Sequence, residues 1–134
     1  MATIGIQING LDKITKWANK FPQISRKYVD KAIIRSIGEI DRKTKPLTPV
    51  KTGRLKGSLV PIFRPFTGIY GSAIPYAAAV HNLYPAGTSF KNPSLNKRAV
   101  AGFLTVGVRE SNSIIDTAFR EALDSMVKEV KNVI

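Results

Sequence analysis

Few side chains in this chain are equipped for chemistry. His81 is the only histidine, there is no cysteine, and nine carboxylates are spread over 134 residues. General acid–base work needs a histidine or carboxylate poised by a charged neighbour. The acids nearest to His81 along the chain are Asp41 and Glu110. With Tyr76 and Tyr84 close by and an alanine run before it, His81 reads as a structural or interfacial residue. Asp12, Asp30, Glu39, Asp41, Glu110, Asp116, Glu121, Asp124 and Glu129 all fall in or beside expected helices, where they read as solvated surface charge. Metal sites need clustered ligands, and pairs such as Glu121 with Asp124 have ordinary helix-surface spacing. No enzyme, cofactor or metal site is expected.

The stretch Thr52-Gly53-Arg54-Leu55-Lys56-Gly57-Ser58 has the composition of a phosphate-binding loop. It lacks the G-x-x-x-x-G-K-[S/T] order and does not join a hydrophobic strand to a helix. Helix-turn-helix spacing, a zinc finger and an RNP-type aromatic pair are also missing.

Charge is the stronger signal. Twenty-one Lys+Arg against nine Asp+Glu give +12. Residues 1–41 carry +3 and residues 110–134 carry −2, while 42–109 hold eleven basic residues and no acid. Such a middle needs an acidic counterpart, either phosphate or an acidic protein surface, unless it only keeps the chain soluble. Within it, Lys51, Arg54, Lys56 and Arg64 are the candidate contacts to an acidic partner or to DNA.

The length suits one domain, residues 1–134, with a real core. A disulfide scaffold is excluded and no run is long enough to span a membrane. The first residues lack a basic n-region followed by an apolar stretch, so no secretory signal is expected.

The elements that must position these residues follow from periodicity. Ile4, Ile6 and Ile8 alternate with polar residues, predicting a strand over 3–9. Leu11, Ile14, Trp17, Ala18 and Phe21 share a helical face closed by Pro22. A longer helix fits 23–44, with Ile24, Tyr28, Val29, Ala32, Ile33, Ile37 and Ile40 on its apolar side. Pro46 and Pro49 end it. Leu55 to Arg64 reads as a strand, with Pro61 marking a sheet edge or bulge. Thr67-Gly68 predicts a turn and Ile69 to Ile74 a returning strand. Residues 76–81 fit a short helix and 82–102 a long loop, expected to order only against a neighbouring subunit. Phe103, Leu104, Val106 and Val108 suggest another strand. The last helix is expected over 113–133, opened by a Ser113/Asp116 capping box. Helices at both ends and strands between them predict an α+β fold: a small antiparallel sheet with N-terminal helices and a long C-terminal helix packed on it.

Pro49-Val50-Lys51-Thr52-Gly53-Arg54-Leu55-Lys56-Gly57-Ser58-Leu59 resembles the "P-V-x-T-G-x-L-x-x-S-h" signature of the tailed-phage tail-completion proteins, also described as minor tail or neck proteins. Gly10-Leu11-Asp12, Tyr76-Ala77-Ala78-Ala79-Val80-His81, Gly87-Thr88 and Phe103-Leu104 are similar, in the same order, to further family elements. His81 stands where the family has Glu, Asn82 to Ala86 are inserted, and Gly102 replaces a proline. The resemblance implies a non-catalytic virion protein of the neck or upper tail, assembled in the host cytoplasm. It also implies a homo-oligomeric ring, six copies being the expectation, that contacts connector and tail-tube proteins, with non-specific contact to passing DNA. Its motif residues here are Pro49, Thr52, Gly53, Leu55, Ser58, Tyr76, Ala77, Gly87 and Thr88. The residues themselves leave a second reading: a small basic accessory protein that binds nucleic acid without sequence preference, through Lys51, Arg54, Lys56 and Arg64.

Overall fold

A computed structural model describes residues 4–9, 22–50, 53–90, 92 and 95–133. The helix expected over 11–21, the Gly10-Leu11-Asp12 element, the candidate contact Lys51 and the motif residue Thr52 lie outside the described residues.

The alternating isoleucines form β1 (Ile4–Asn9), which pairs antiparallel with β3 (Thr67–Ser72). On its other side β3 pairs antiparallel with β2 (Val60–Arg64), so the three-stranded order is β1-β3-β2. Pro61 has no N–H to give a second ladder, and it sits on an edge strand, as its chemistry requires. The reversal between β2 and β3 is Pro65–Phe66, and Thr67-Gly68 already belongs to β3, which corrects the expected turn. Phe66 takes φ 59°, in the left-handed region, directly after Pro65. Its N–H donates to Asp30 Oδ1 at 2.9 Å, a bond that helps hold a conformation unusual for a bulky residue.

Helix α1 (Pro22–Thr44) buries Val29, Ala32, Ile33, Ile37 and Ile40. It crosses the inner face of the sheet, where a Cβ on Gly68 would meet Ile33 and Ile37. A 3-10 turn at Lys45–Leu47 absorbs Pro46 and ends the helix. The segment expected to start a strand at Leu55 is instead a single-turn helix, α2 (Arg54–Ser58), and β2 begins after it. Helix α3 (Ala77–His81) is short, as its alanines predict.

The largest departure comes next. The strand expected at 103–108 and the helix expected from 113 are one helix, α4 (Phe103–Val133), of 31 residues. Phe103, Leu104, Gly107, Ser111, Ala118, Ala122, Met126 and Val130 are buried along it, a spacing near 3.6 that begins at Phe103. Gly102 adopts φ 64°, and a Cβ there would lie 2.6 Å from that of Ala86. The chain can enter α4 beside the loop only through glycine. Ser113, the expected cap, lies within the helix and accepts from Thr117 Oγ1.

Helix α4 packs along α1. Ala32, Ala118 and Ala122 form a small-residue contact between them, and Val29, Ile33, Ile37, Tyr70, Phe103 and Met126 belong to the main core. The architecture is α+β, with α1 lying between the sheet and the long C-terminal helix.

Candidate functional site

The described residues of the signature segment lie between α1 and the sheet. Pro49 is buried. Gly53 caps α2 with φ 82°, a left-handed position that disfavours any residue with a Cβ. Leu55 then points into the core. Ser58 Oγ lies 2.6 Å from Leu55 O and 2.7 Å from Ser72 Oγ. The second contact ties the motif to the end of β3.

From there the chain runs directly into the second motif. Ala77 N–H donates to Ile74 O and Ala77 is fully buried, which fixes Tyr76 at the start of α3. The Arg54 guanidinium lies over the Tyr76 ring, 5.7 Å from its centroid, a cation–π distance.

The described residues of 82–102 contain no helix or named strand, yet they are closed by bonds within their own chain. Gly87 N–H donates to Ala101 O, Ala101 N–H to Thr88 O, and Phe90 N–H to Ala99 O, around a bridge between Ser89 and Val100. Val100 N–H reaches Leu47 O at 3.0 Å and Gly102 N–H reaches His81 O at 2.7 Å. Asn96 adds a clamp: its Nδ2 donates to Pro46 O and Thr48 O, and its Oδ1 accepts from Val50 N–H. The described part of the loop is thus tied to the 46–50 turn and to the end of α3 by bonds from its own chain. A polar side chain satisfies turn backbone that the loop would otherwise bury unpaired.

These three segments enclose a groove of about 380 Å³. Pro49 and Leu55 come from the signature, Tyr76 and Val80 from the second motif, and Leu83 and Phe90 from the loop. Tyr84 packs edge-on against Phe90 at 5.8 Å. Gly87 and Thr88 act through backbone in the loop ladder and do not line the groove. Leu83, Phe90, Leu95 and Asn96 carry no sequence signal, because loop residues have no periodicity to mark which of them face a neighbour.

A second surface is the β2 edge of the sheet, which pairs with no further strand among the described residues. All five residues of β2 are exposed, among them Val60 (51%), Ile62 (49%) and Phe63 (45%). Ile62 stands opposite Ile69 in the register. Phe63 and Arg64 border a separate depression with Arg26, Asp30 and Ile34, so Arg64 is not part of the groove, whereas Arg54 and Lys56 stand on α2 beside it.

The fold also sorts the charges. Glu121 pairs with Arg35 and Glu129 with Lys27 across α1 and α4; Asp30, Glu39, Asp41 and Asp116 pair within one helix or its end. Two bonds from Arg42 hold Glu39 below the usual carboxylate range. The carboxylates are thus largely engaged with helical cations.

His81 lies edge-on to Phe103, 4.9 Å between centroids, and its Nδ1 is 3.0 Å from Asn82 Oδ1. That geometry suits packing: the ring has an amide beside it where a proton-transfer pair would place a carboxylate. Among the described residues no three His, Asp or Glu gather closely enough to hold a metal ion, and no helix is long and apolar enough to cross a membrane. The chain matches no protein-family model, no curated protein and no solved structure.

Proposed function

We propose that this chain is a structural subunit of a tailed-phage virion, a component of a homo-oligomeric ring that joins the head connector to the tail, with no catalytic role. The observation that carries the reading is strand β2. It is an edge strand with every residue exposed and three large apolar side chains in water. Such an edge is a template for pairing with another chain. A contact between β2 and a different face of the next copy is heterologous, and heterologous contacts form a ring when their rotation closes. The ordered resemblance from Gly10 to the C-terminal helix supplies the virion context.

Electron microscopy of virions made without the protein tests this. Filled heads beside separate tails support a joining role, and normal virions end it. At the level of the isolated chain, Ile62→Lys should abolish concentration-dependent association in sedimentation while leaving the circular dichroism spectrum unchanged.

The engagement of acids by helical cations favours one second reading, sequence-independent nucleic-acid binding by the basic residues of the acid-free stretch. It requires a steep salt dependence, with a slope of about −0.9 per phosphate contacted. Undetectable binding to duplex DNA near physiological salt removes it.

A further inference from the structure

The groove between α2, α3 and the 82–102 loop has no role in the β2 reading, since none of its lining residues belongs to β2. Its described lining is mostly apolar, with Asn92 and Tyr76 the residues there that carry a polar side-chain group. A small-molecule site of this size normally brings several polar groups to one point. What this groove offers is room for a few apolar side chains. Three of the chain's exposed large hydrophobics, Tyr76, Leu83 and Tyr84, cluster at it, and Leu83 is 59% exposed.

Its electrical surroundings are one-sided. Every segment that builds it comes from the acid-free stretch between Asp41 and Glu110. Arg54 lies over the ring of Tyr76, which lines the groove; Lys56 is next to Leu55 on α2, and Lys97 and Arg98 come two and three residues after Leu95 in the chain. Among the described residues no carboxylate lines it. An occupant with apolar anchors gains by filling the floor, and carboxylates beside those anchors gain from the cationic surroundings.

The geometry points to this groove as the docking site for an acidic segment of another protein, one that places an apolar side chain between Asp or Glu residues. A nucleic acid would offer phosphates to the rim but nothing aliphatic to the floor. A second copy of this chain would have to present α1 or α4, whose described carboxylates are mostly engaged with cations. The site stands apart from the ring reading: a chain that fails to assemble through β2 still carries it.

The test uses the full chain and a synthetic fluorescein-labelled peptide carrying Leu and Phe between Asp and Glu residues. Three controls accompany it: the same peptide with Ala for the anchors, the same peptide with Lys for the acids, and a single-stranded DNA oligonucleotide. The anchored acidic peptide should bind and shift the amide resonances of Tyr76, Val80, Leu83 and Phe90. Leu83→Glu, at an exposed loop position, should weaken it by about tenfold or more. Arg54→Glu should weaken it as well and flatten its salt dependence, while Ile62→Lys should leave it unchanged. The proposal is overturned if the wild-type chain binds no peptide. It is also overturned if the Ala-substituted peptide or the oligonucleotide binds as tightly and ignores Leu83→Glu. Loss of self-association in Leu83→Glu, with no peptide binding by the wild type, would assign the groove to a second copy and overturn it too. Because Ile62→Lys reads the edge and Leu83→Glu reads the groove, failure of one idea is distinguishable from failure of the other.

Discussion

The hydroxyl of Tyr70 donates to Asp41 Oδ1 at 2.5 Å, joining the central strand to the last turn of α1. Tyr70 is fully buried, and Asp41 also meets Lys45 Nζ at 3.1 Å. Burial first, then the bond to Asp41 and its negative charge, push the phenol far above its ordinary range. Tyr70→Phe should cost about 1.5–3 kcal/mol at neutral pH, the range for a hydrogen bond to a charged group. Below about pH 10 the phenol is protonated in both folded and unfolded chains, and its contribution is fully present. Above that, the unfolded chain loses the proton first, so the wild type should lose up to about 1.4 kcal/mol per pH unit. Tyr70→Phe lacks this slope, so the two stability curves converge in alkali. Parallel curves in denaturant titrations from pH 8 to pH 11 (a range of about three units around the ordinary tyrosine value) would disprove the linkage.

Asn96→Ala should release the long loop. The substitution leaves Val50 N–H and the carbonyls of Pro46 and Thr48 without their partner, a loss of about 2–3 kcal/mol if each bond is worth the usual net amount. Hydrogen exchange at Val100 and Ala101 should accelerate while that of α1 changes less. Equal acceleration everywhere would mean the clamp is global.

Gly107→Ala sets two effects of known size against each other. In an unobstructed helix the change favours folding by about 1 kcal/mol. Here a Cβ at 107 would run into Thr44 Oγ1 on buried α1, and overpacking of this kind costs about 1–3 kcal/mol. Net destabilisation in thermal unfolding is the expected sign, and stabilisation would show that α1 and α4 can move apart.

The contact between α1 and α4 should depend on its small residues far more than on its ion pairs. Ala122→Leu inserts volume among Ala32, Ala118 and Phe119 and should cost about 1–3 kcal/mol. Arg35→Ala removes a mostly exposed pair with Glu121 and should cost no more than about 1 kcal/mol. Guanidinium-free urea titrations of both variants rank the two terms, with the reverse order counting against tight helix packing.

Period-two isoleucines, a long amphipathic run ended by prolines, and Pro61 at an edge or a bulge were all readable from residue order, since each is a local constraint on the backbone. Phe103 to Val108 was not. Its apolar residues satisfy both a strand and a helix period, and the choice belongs to partners far along the chain: Thr44 against Gly107, and Ala86 against Gly102. The motif residues Pro49, Leu55 and Tyr76 were legible as a pattern, but their meeting in one groove was not. That required Ser58 to reach Ser72 and Asn96 to hold the loop on the 46–50 turn.

By itself the sequence determined the α+β class, the two chief local elements β1 and α1, and an acid-free, basic middle; composition and periodicity act over a few residues and need no partner. Only the tertiary structure decided that α4 begins at Phe103, that β2 is left exposed, and that three separated segments enclose an apolar groove beside Arg54. Each of those depends on which surfaces the packing of α1 against sheet and helix covers and which it leaves in water.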